Sequence, residues 1–252
     1  LKNSTTSLES IYLAGCGSLG HEILKLIDPE TRVCTLVKSS SSRDKLLKAG
    51  VHAFTEFEGF SNCKAAIIGL PGFSTQLEFL QTCEQFEKPE STIFISSTGF
   101  YEGLEGVISD DSPRGNSERA QMIAKAEDLF LSQFSGTIIR SGGLFQTNRG
   151  PFSYFKRSKS VPAKPGNQEL ALLHYEDLAR LCLQLFQMPP QEPVLATIPQ
   201  CPTRNMFYQE ACQRIGMEMP ELPQSHAKSF QAIRIQEILN NFSHPNWMDA
   251  LS

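Results

Sequence analysis

A chain of 252 residues with 40% hydrophobic content is long enough for one core domain with a small appended lobe. Its formal charge of −4 leaves no basic footprint for nucleic acid, and Lys156-Arg157-Ser158-Lys159, the one basic run, reads as a solvated loop. No apolar stretch reaches membrane-span length, and seven cysteines without a C-x-x-C pair suggest reduced thiols, with neither a metal site nor a disulfide framework. Residues 1–10 are polar, lack a signal-peptide pattern and read as a frayed end of a cytoplasmic protein. The chain begins at Leu1 rather than Met, which leaves room for a few trimmed residues.

Residues 11–14 have strand character and run into Gly15, Cys16, Gly17, Ser18, Leu19 and Gly20. Leu19, Ile23, Leu24 and Ile27 then recur at helical spacing. A G-x-G-x-x-G between strand and helix suits a dinucleotide. The first glycine allows the tight turn, the second lets backbone amides approach a pyrophosphate, and the third lets the helix pack on the strand. The competing reading is a tight structural turn. Residues 31–37 are a second strand, 43–49 a short helix and 51–54 a third strand. The run 65–70 is a fourth strand ending at Pro71, and 75–86 a helix. Residues 92–96 form a fifth strand, 117–133 a long amphipathic helix, and 137–140 begin a sixth strand. Such alternation means βαβ units and a Rossmann-type, doubly wound parallel sheet.

After Gly142 the rhythm changes. Residues 142–170 read as a loop-dominated segment, followed by a helix over 174–188, a strand over 194–198 and helices over 204–216 and 233–240. The expected layout is a dinucleotide-binding core over 1–145 and a small C-terminal α/β substrate lobe over 146–252, intertwined as one compact unit.

Four motifs in this order resemble the extended short-chain dehydrogenase/reductase superfamily, the NAD-dependent epimerase/dehydratase group. Beside the glycine turn, Ser96-Ser97-Thr98-Gly99-Phe100-Tyr101 looks like its S-S-x-x-V-Y-G. The stretch from Ile139 to Phe145 with Asn148-Arg149-Gly150 is similar to its L-R-x-x-x-x-Y-G-P-G-R, and Leu173-His174-Tyr175-Glu176-Asp177-Leu178-Ala179 to its I-H-V-D-D-L-A. The resemblance departs at the catalytic helix. With Glu127 as marker, Ile123 stands at the family's Lys and Arg119 at its Tyr, as in the atypical, YeeZ-like branch. The usual proton relay is absent.

The resemblance implies NADP or NAD along the glycine turn, past Leu70 and Pro71, with the nicotinamide near Ser97 and a small-molecule substrate against 142–177. An NAD site wants an acid about twenty residues past the glycines. Here Val37 is followed by Lys38, Ser39, three more serines and Arg43, with no acid before Asp44, which favours NADP. The candidate catalytic residues are Ser97, Thr98, Tyr101 and Arg119. Ser97 and Thr98 equally suit a strand end bonding its own turn and Arg119 a solvated helix start, whereas Tyr101 in this motif is more often a packing residue than an acid. The expectation is an oxidoreductase or epimerase-like enzyme on a small carbonyl or alcohol, and its rival a non-catalytic dinucleotide sensor or scaffold. Helices 75–86 and 117–133 are the candidate homodimer face.

Overall fold

The computed structural model describes residues 8–37, 40–48, 50–54, 57, 59–190 and 192–252. In chain order the elements are β1 (Ser10–Ala14), α1 (Ser18–Leu26), β2 (Arg32–Leu36), α2 (Ser40–Lys48), β3 (His52–Phe54), β4 (Ala65–Ile68), α3 (Phe73–Cys83) and β5 (Ser91–Ser97). There follow β6 (Gly106–Ser109), α4 (Glu118–Gln133), β7 (Gly136–Ser141), β8 (Gly143–Phe145), α5 (Pro151–Ser158), β9 (Leu172–His174) and α6 (Tyr175–Leu185). The chain closes with β10 (Val194–Ala196), α7 (Arg204–Ile215), β11 (Lys228–Gln231) and α8 (Ile233–Leu239).

The main sheet has seven strands in the order β10-β7-β5-β4-β1-β2-β3. β1 pairs in parallel with both β2 and β4, so the strand order reverses direction at β1. Strands buried on both faces read as near-continuous apolar runs, and β4 (AAII) and β1 (SIYLA) fit, the one polar residue Ser10 accepting the Lys64 N–H at 3.0 Å. The turn after β1 therefore opens at the topological switch point, where α/β sheets bind ligands. No described helix is long and apolar enough to cross a membrane.

The chain divides into two compact units. Unit 1 is Leu1–Ser96, Met122–Ile139 and Ala179–Pro193; unit 2 is Ser97–Gln121, Arg140–Leu178 and Val194–Ser252. Relative to the expected boundary after residue 145, the second unit also takes 97–121 and 140–145, and the first takes 179–193. The core of unit 1 joins Tyr12, Phe60, Phe79, Phe94, Phe130 and Phe134, with Phe94, Phe130 and Phe134 in stacked succession at 5.1 and 5.2 Å. A second core in unit 2 joins Phe145, Phe152, Phe155, Leu172 and Phe207.

The segment 142–170, expected to be loop-dominated, contains β8 and α5. β8 pairs with β9, and β6 with β11, in two separate two-stranded parallel sheets. Strands of three or four residues whose partners lie far along the chain leave no readable period.

Unit 2 is tied together by a buried carboxylate. Asp110 accepts from the backbone N–H of Leu195 at 2.8 Å, of Ile233 at 3.1 Å and of Arg234 at 3.3 Å. Asp110→Ala strands these donors and is expected to lower the unfolding free energy by about 3 kcal/mol, read from urea denaturation. An unchanged midpoint would mean that water replaces the carboxylate.

Candidate functional site

Unit 1 contains a groove of about 670 Å³ at the end of β1. Five of the expected cofactor residues, Gly15, Cys16, Gly17, Leu70 and Pro71, line it. Gly15 has φ +89°, a left-handed conformation that other residues adopt only with strain, and a Cβ there would sit 3.2 Å from the Leu70 side chain. Gly17 differs: its φ is an ordinary −85°, yet a Cβ added to it would meet no atom within 4 Å, so its backbone is open to an incoming group. A Cβ on Gly20 would meet the Cys16 sulfur at 3.0 Å, so this glycine permits close packing. The helix α1 starts immediately afterwards, with no acidic side chain in its first turn and no capping side chain at Gly17. Its positive end is thus uncompensated locally, as an anion site requires. Burial pushes the Cys16 thiol up, so it stays protonated and uncharged beside that end.

Leu36, Val37, Phe57 and Phe79 give the groove an apolar lining that suits a flat aromatic base. Ser18, Leu19 and Gly20 belong to α1, where Leu19 and Gly20 are buried. Ser42 and Lys45 of α2 reach the groove; the sequence marks Lys45 only as part of a short helix, with nothing to show which way that helix faces. Arg43 does not line the groove, and its Nε lies 3.7 Å from Asp44. Lys38 and Ser39 fall outside the described residues.

Unit 2 contains a second cavity, of about 540 Å³. Ser97, Thr98 and Arg119, three of the four expected catalytic residues, line it together with Gly142 and Gly143. The Ser97 hydroxyl also accepts from the Gly99 N–H at 3.1 Å, which caps its own turn. Tyr101 needs correction as a candidate acid. Its side chain is 0% exposed and does not line the cavity, and its hydroxyl accepts from Arg140 Nη1 at 3.1 Å. The same guanidinium lies 3.5 Å from the centre of the Phe100 ring, so the S-S-x-x-V-Y-G-like segment is locked as packing. Ile123, at the family's Lys position, is buried, whereas Arg119 is exposed.

The sequence reading missed the cavity's charge. Lys164, Arg204 and Lys228 line it alongside Glu102, Glu105 and Glu169. Burial, then the nearby Arg204, lowers the Lys228 ammonium from its usual range, and burial lowers the Arg204 guanidinium. The Glu169 carboxyl is raised by burial, against the pull of the Phe230 N–H.

His174, Glu176 and His244 bring one donor atom each within 4.8 Å of the others, a grouping the sequence did not suggest. The His174 Nδ1 accepts the Glu176 N–H at 3.1 Å, and the two imidazoles overlap with centroids 3.6 Å apart and planes tilted by 30°. The His244 Nε2 lies 3.3 Å from Glu176 Oε2, so the carboxylate and that imidazole already face one another.

No protein-family model matches the sequence. Protein YeeZ of Escherichia coli, in strains K12 and O157:H7, is 28% identical over 137 residues, covering 53% of this chain and 49% of YeeZ. The chain thus spans about half the length of the curated relatives it matches. Human epimerase family protein SDR39U1, solved with NADPH, superimposes with TM-score 0.72 at 15% identity over 96% of this chain and 97% of its own. UDP-glucuronic acid 4-epimerase from Bacillus cereus, solved with NAD, does so with TM-score 0.73 at 14% identity over 96% of both chains. At these identities the likeness is one of fold, and the fold is Rossmann-type α/β.

The two groove glycines make opposite predictions for stability. Gly15→Ala forces a left-handed alanine against Leu70 and is expected to cost about 1–3 kcal/mol. Gly17→Ala meets open space and should leave the thermal midpoint within about a degree of the parent. Equal effects at both positions would contradict the described turn.

Proposed function

We propose that this chain, an atypical extended short-chain dehydrogenase/reductase by sequence kinship and fold, binds a nicotinamide dinucleotide in the unit 1 groove and acts on a small carbonyl or alcohol. The observation that carries the reading is the open backbone at Gly17 beside the uncapped start of α1. A pyrophosphate fits there because no side chain occupies the approach and the first-turn amides point at it. Leu36, Val37, Phe57 and Phe79 would flank the base, with Ser42 and Lys45 at its ribose end. A hydroxyl and an ammonium there, with no acid between β2 and Asp44, support NADP over NAD. The neighbours solved with NADPH and with NAD support the cofactor class and leave the preference open.

When bound, the nicotinamide supplies a hydride acceptor or donor. The chain's own contribution is orientation. Ser97 and Thr98 offer hydroxyls to a substrate oxygen in the unit 2 cavity, and the Arg119 guanidinium can polarise that oxygen. Seven unpaired cysteines support a reducing, cytoplasmic setting. The exposed Leu131 supports a homodimer through the faces of α3 and α4. Buried Ile123 favours a second reading, a redox sensor that binds the dinucleotide without turnover.

Calorimetric titration with NADPH and NADH is the test. NADPH is expected to bind more tightly, Gly17→Ala to abolish binding of both, and Lys45→Glu to weaken NADPH at least tenfold while sparing NADH. No binding by the folded parent would remove both readings. Binding with no oxidation of NADPH across a broad carbonyl panel would select the sensor.

A further inference from the structure

Two cations in the unit 2 cavity have only neutral hydrogen-bond partners. Arg204 Nη1 donates to the Pro165 carbonyl at 3.4 Å and the Gln168 amide oxygen at 3.3 Å. Lys228 Nζ donates to the Tyr101 carbonyl at 2.7 Å and stands 5.7 Å from the centre of the Phe230 ring. Neither has a carboxylate within 4 Å among the described residues, although both side chains are more than half withdrawn from water. A charge held away from water without a counter-charge is costly, and two such charges of like sign repel. Each is nonetheless fixed in place. Arg204 opens α7 behind the Thr203 cap, and its own N–H is bound by the Gln168 carbonyl at 2.9 Å. Lys228 opens β11, in register with Gly106 of β6.

The cavity's carboxylates do not neutralise the pair. Glu102 bonds the Ser117 hydroxyl at 3.1 Å and lies 3.8 Å from Lys164, and Glu105 lies 3.1 Å from His226. Glu169 is pinned to the backbone on either side of Ser229: its N–H donates to the Lys228 carbonyl, and its carboxylate accepts the Phe230 N–H, both at 2.8 Å. The helix start of α7 is not itself the site, because the Arg204 and Asn205 amides already bond carbonyls of Gln168 and Gly166.

We propose that Arg204 and Lys228 form an oxyanion subsite, and that the substrate taken by the unit 2 cavity carries a compact phosphoryl or carboxyl group. The inference rests on reading that cavity as the substrate site. The planar guanidinium offers two parallel donors to such a group and the ammonium a point charge beside them, so one oxyanion removes the repulsion between them. Lys164 and Arg119 add charge at the cavity wall, and Glu102 partly offsets it. An anion favours the protonated forms of both Lys228 and Glu169. Affinity is therefore greatest where both hold their protons and falls as pH rises through the Glu169 range and then the Lys228 range.

The test is a titration of the full chain, without nucleotide, against inorganic phosphate and against malonate. Saturable binding of at least one is expected, weakened tenfold or more in Arg204→Met and in Lys228→Met and largely retained in Lys228→Arg. The same titrations repeated with the unit 1 groove saturated by NADPH separate this subsite from the helix start in unit 1. NADPH binding itself is read in its own titration, so failure of the nucleotide reading and failure of this one give different results. Tighter binding of phosphate assigns a phosphoryl substrate, and tighter binding of malonate a carboxylate one. Should the methionine variants fail to fold, sulfate, which keeps its charge over the range, is titrated into the parent from neutral pH upward. Its affinity should fall with rising pH. Absence of saturation below about 10 mM of either anion, equal affinity in the folded methionine variants, or a flat sulfate series would overturn the proposal.

Discussion

The architecture of unit 1 depends on how closely the backbone can turn after β1. Gly15 takes a φ of +89°, which brings its α-carbon against Leu70 at the end of the neighbouring strand. Gly20 then lets α1 lie on the same strand with only the Cys16 sulfur between them. These contacts leave no room for side chains, and they set the direction in which the amides of α1 point. The apolar walls of the groove follow, because β2, β4 and α3 must pack against whatever β1 and α1 leave uncovered. Chemistry at this end is thus decided by the absence of three side chains rather than by the presence of any.

The two units use opposite electrostatic strategies. The groove of unit 1 has apolar walls, a helix end and one lysine of α2, so backbone dipoles provide its attraction for anions. The cavity of unit 2 is crowded with full charges of both signs, and its character comes from which of them are already satisfied. Glu102 lies 3.8 Å from Lys164 and Glu105 3.1 Å from His226, whereas Arg204 and Lys228 are left facing neutral oxygens. A dipole-based site tolerates many ligands of one shape, whereas paired full charges discriminate by charge number.

The sequence carried the sheet and the groove because their signals are local. β1, the three glycines and α1 occupy seventeen consecutive residues, and apolar runs such as AAII can only be buried strands. What escaped was non-local. Pairing of β6 with β11 joins residues more than a hundred positions apart, in strands too short to show a period. Arg204 and Lys228 each resemble an ordinary surface cation until the fold removes their water. Tyr101 shows the converse: the sequence leaves it between acid and packing residue, and the fold decides by setting Arg140 on its hydroxyl within the core. Motifs report where the backbone goes more reliably than which side chains are left uncommitted.

The interleaving of the two units has a consequence for biogenesis. Unit 1 takes the core that joins Tyr12 to Phe130 from residues up to Ile138 and adds Ala179–Pro193 only later, while unit 2 draws on segments from Ser97 through Ser252. During synthesis, β1 to β5 therefore emerge long before the helix and strand that cover them, with apolar edges waiting for partners. Domains usually complete in order from the N-terminus; this chain can complete neither half early. A cut at any point between Ser97 and Pro193 would divide both units, so neither is expected to be an autonomous folding unit when the chain is severed there.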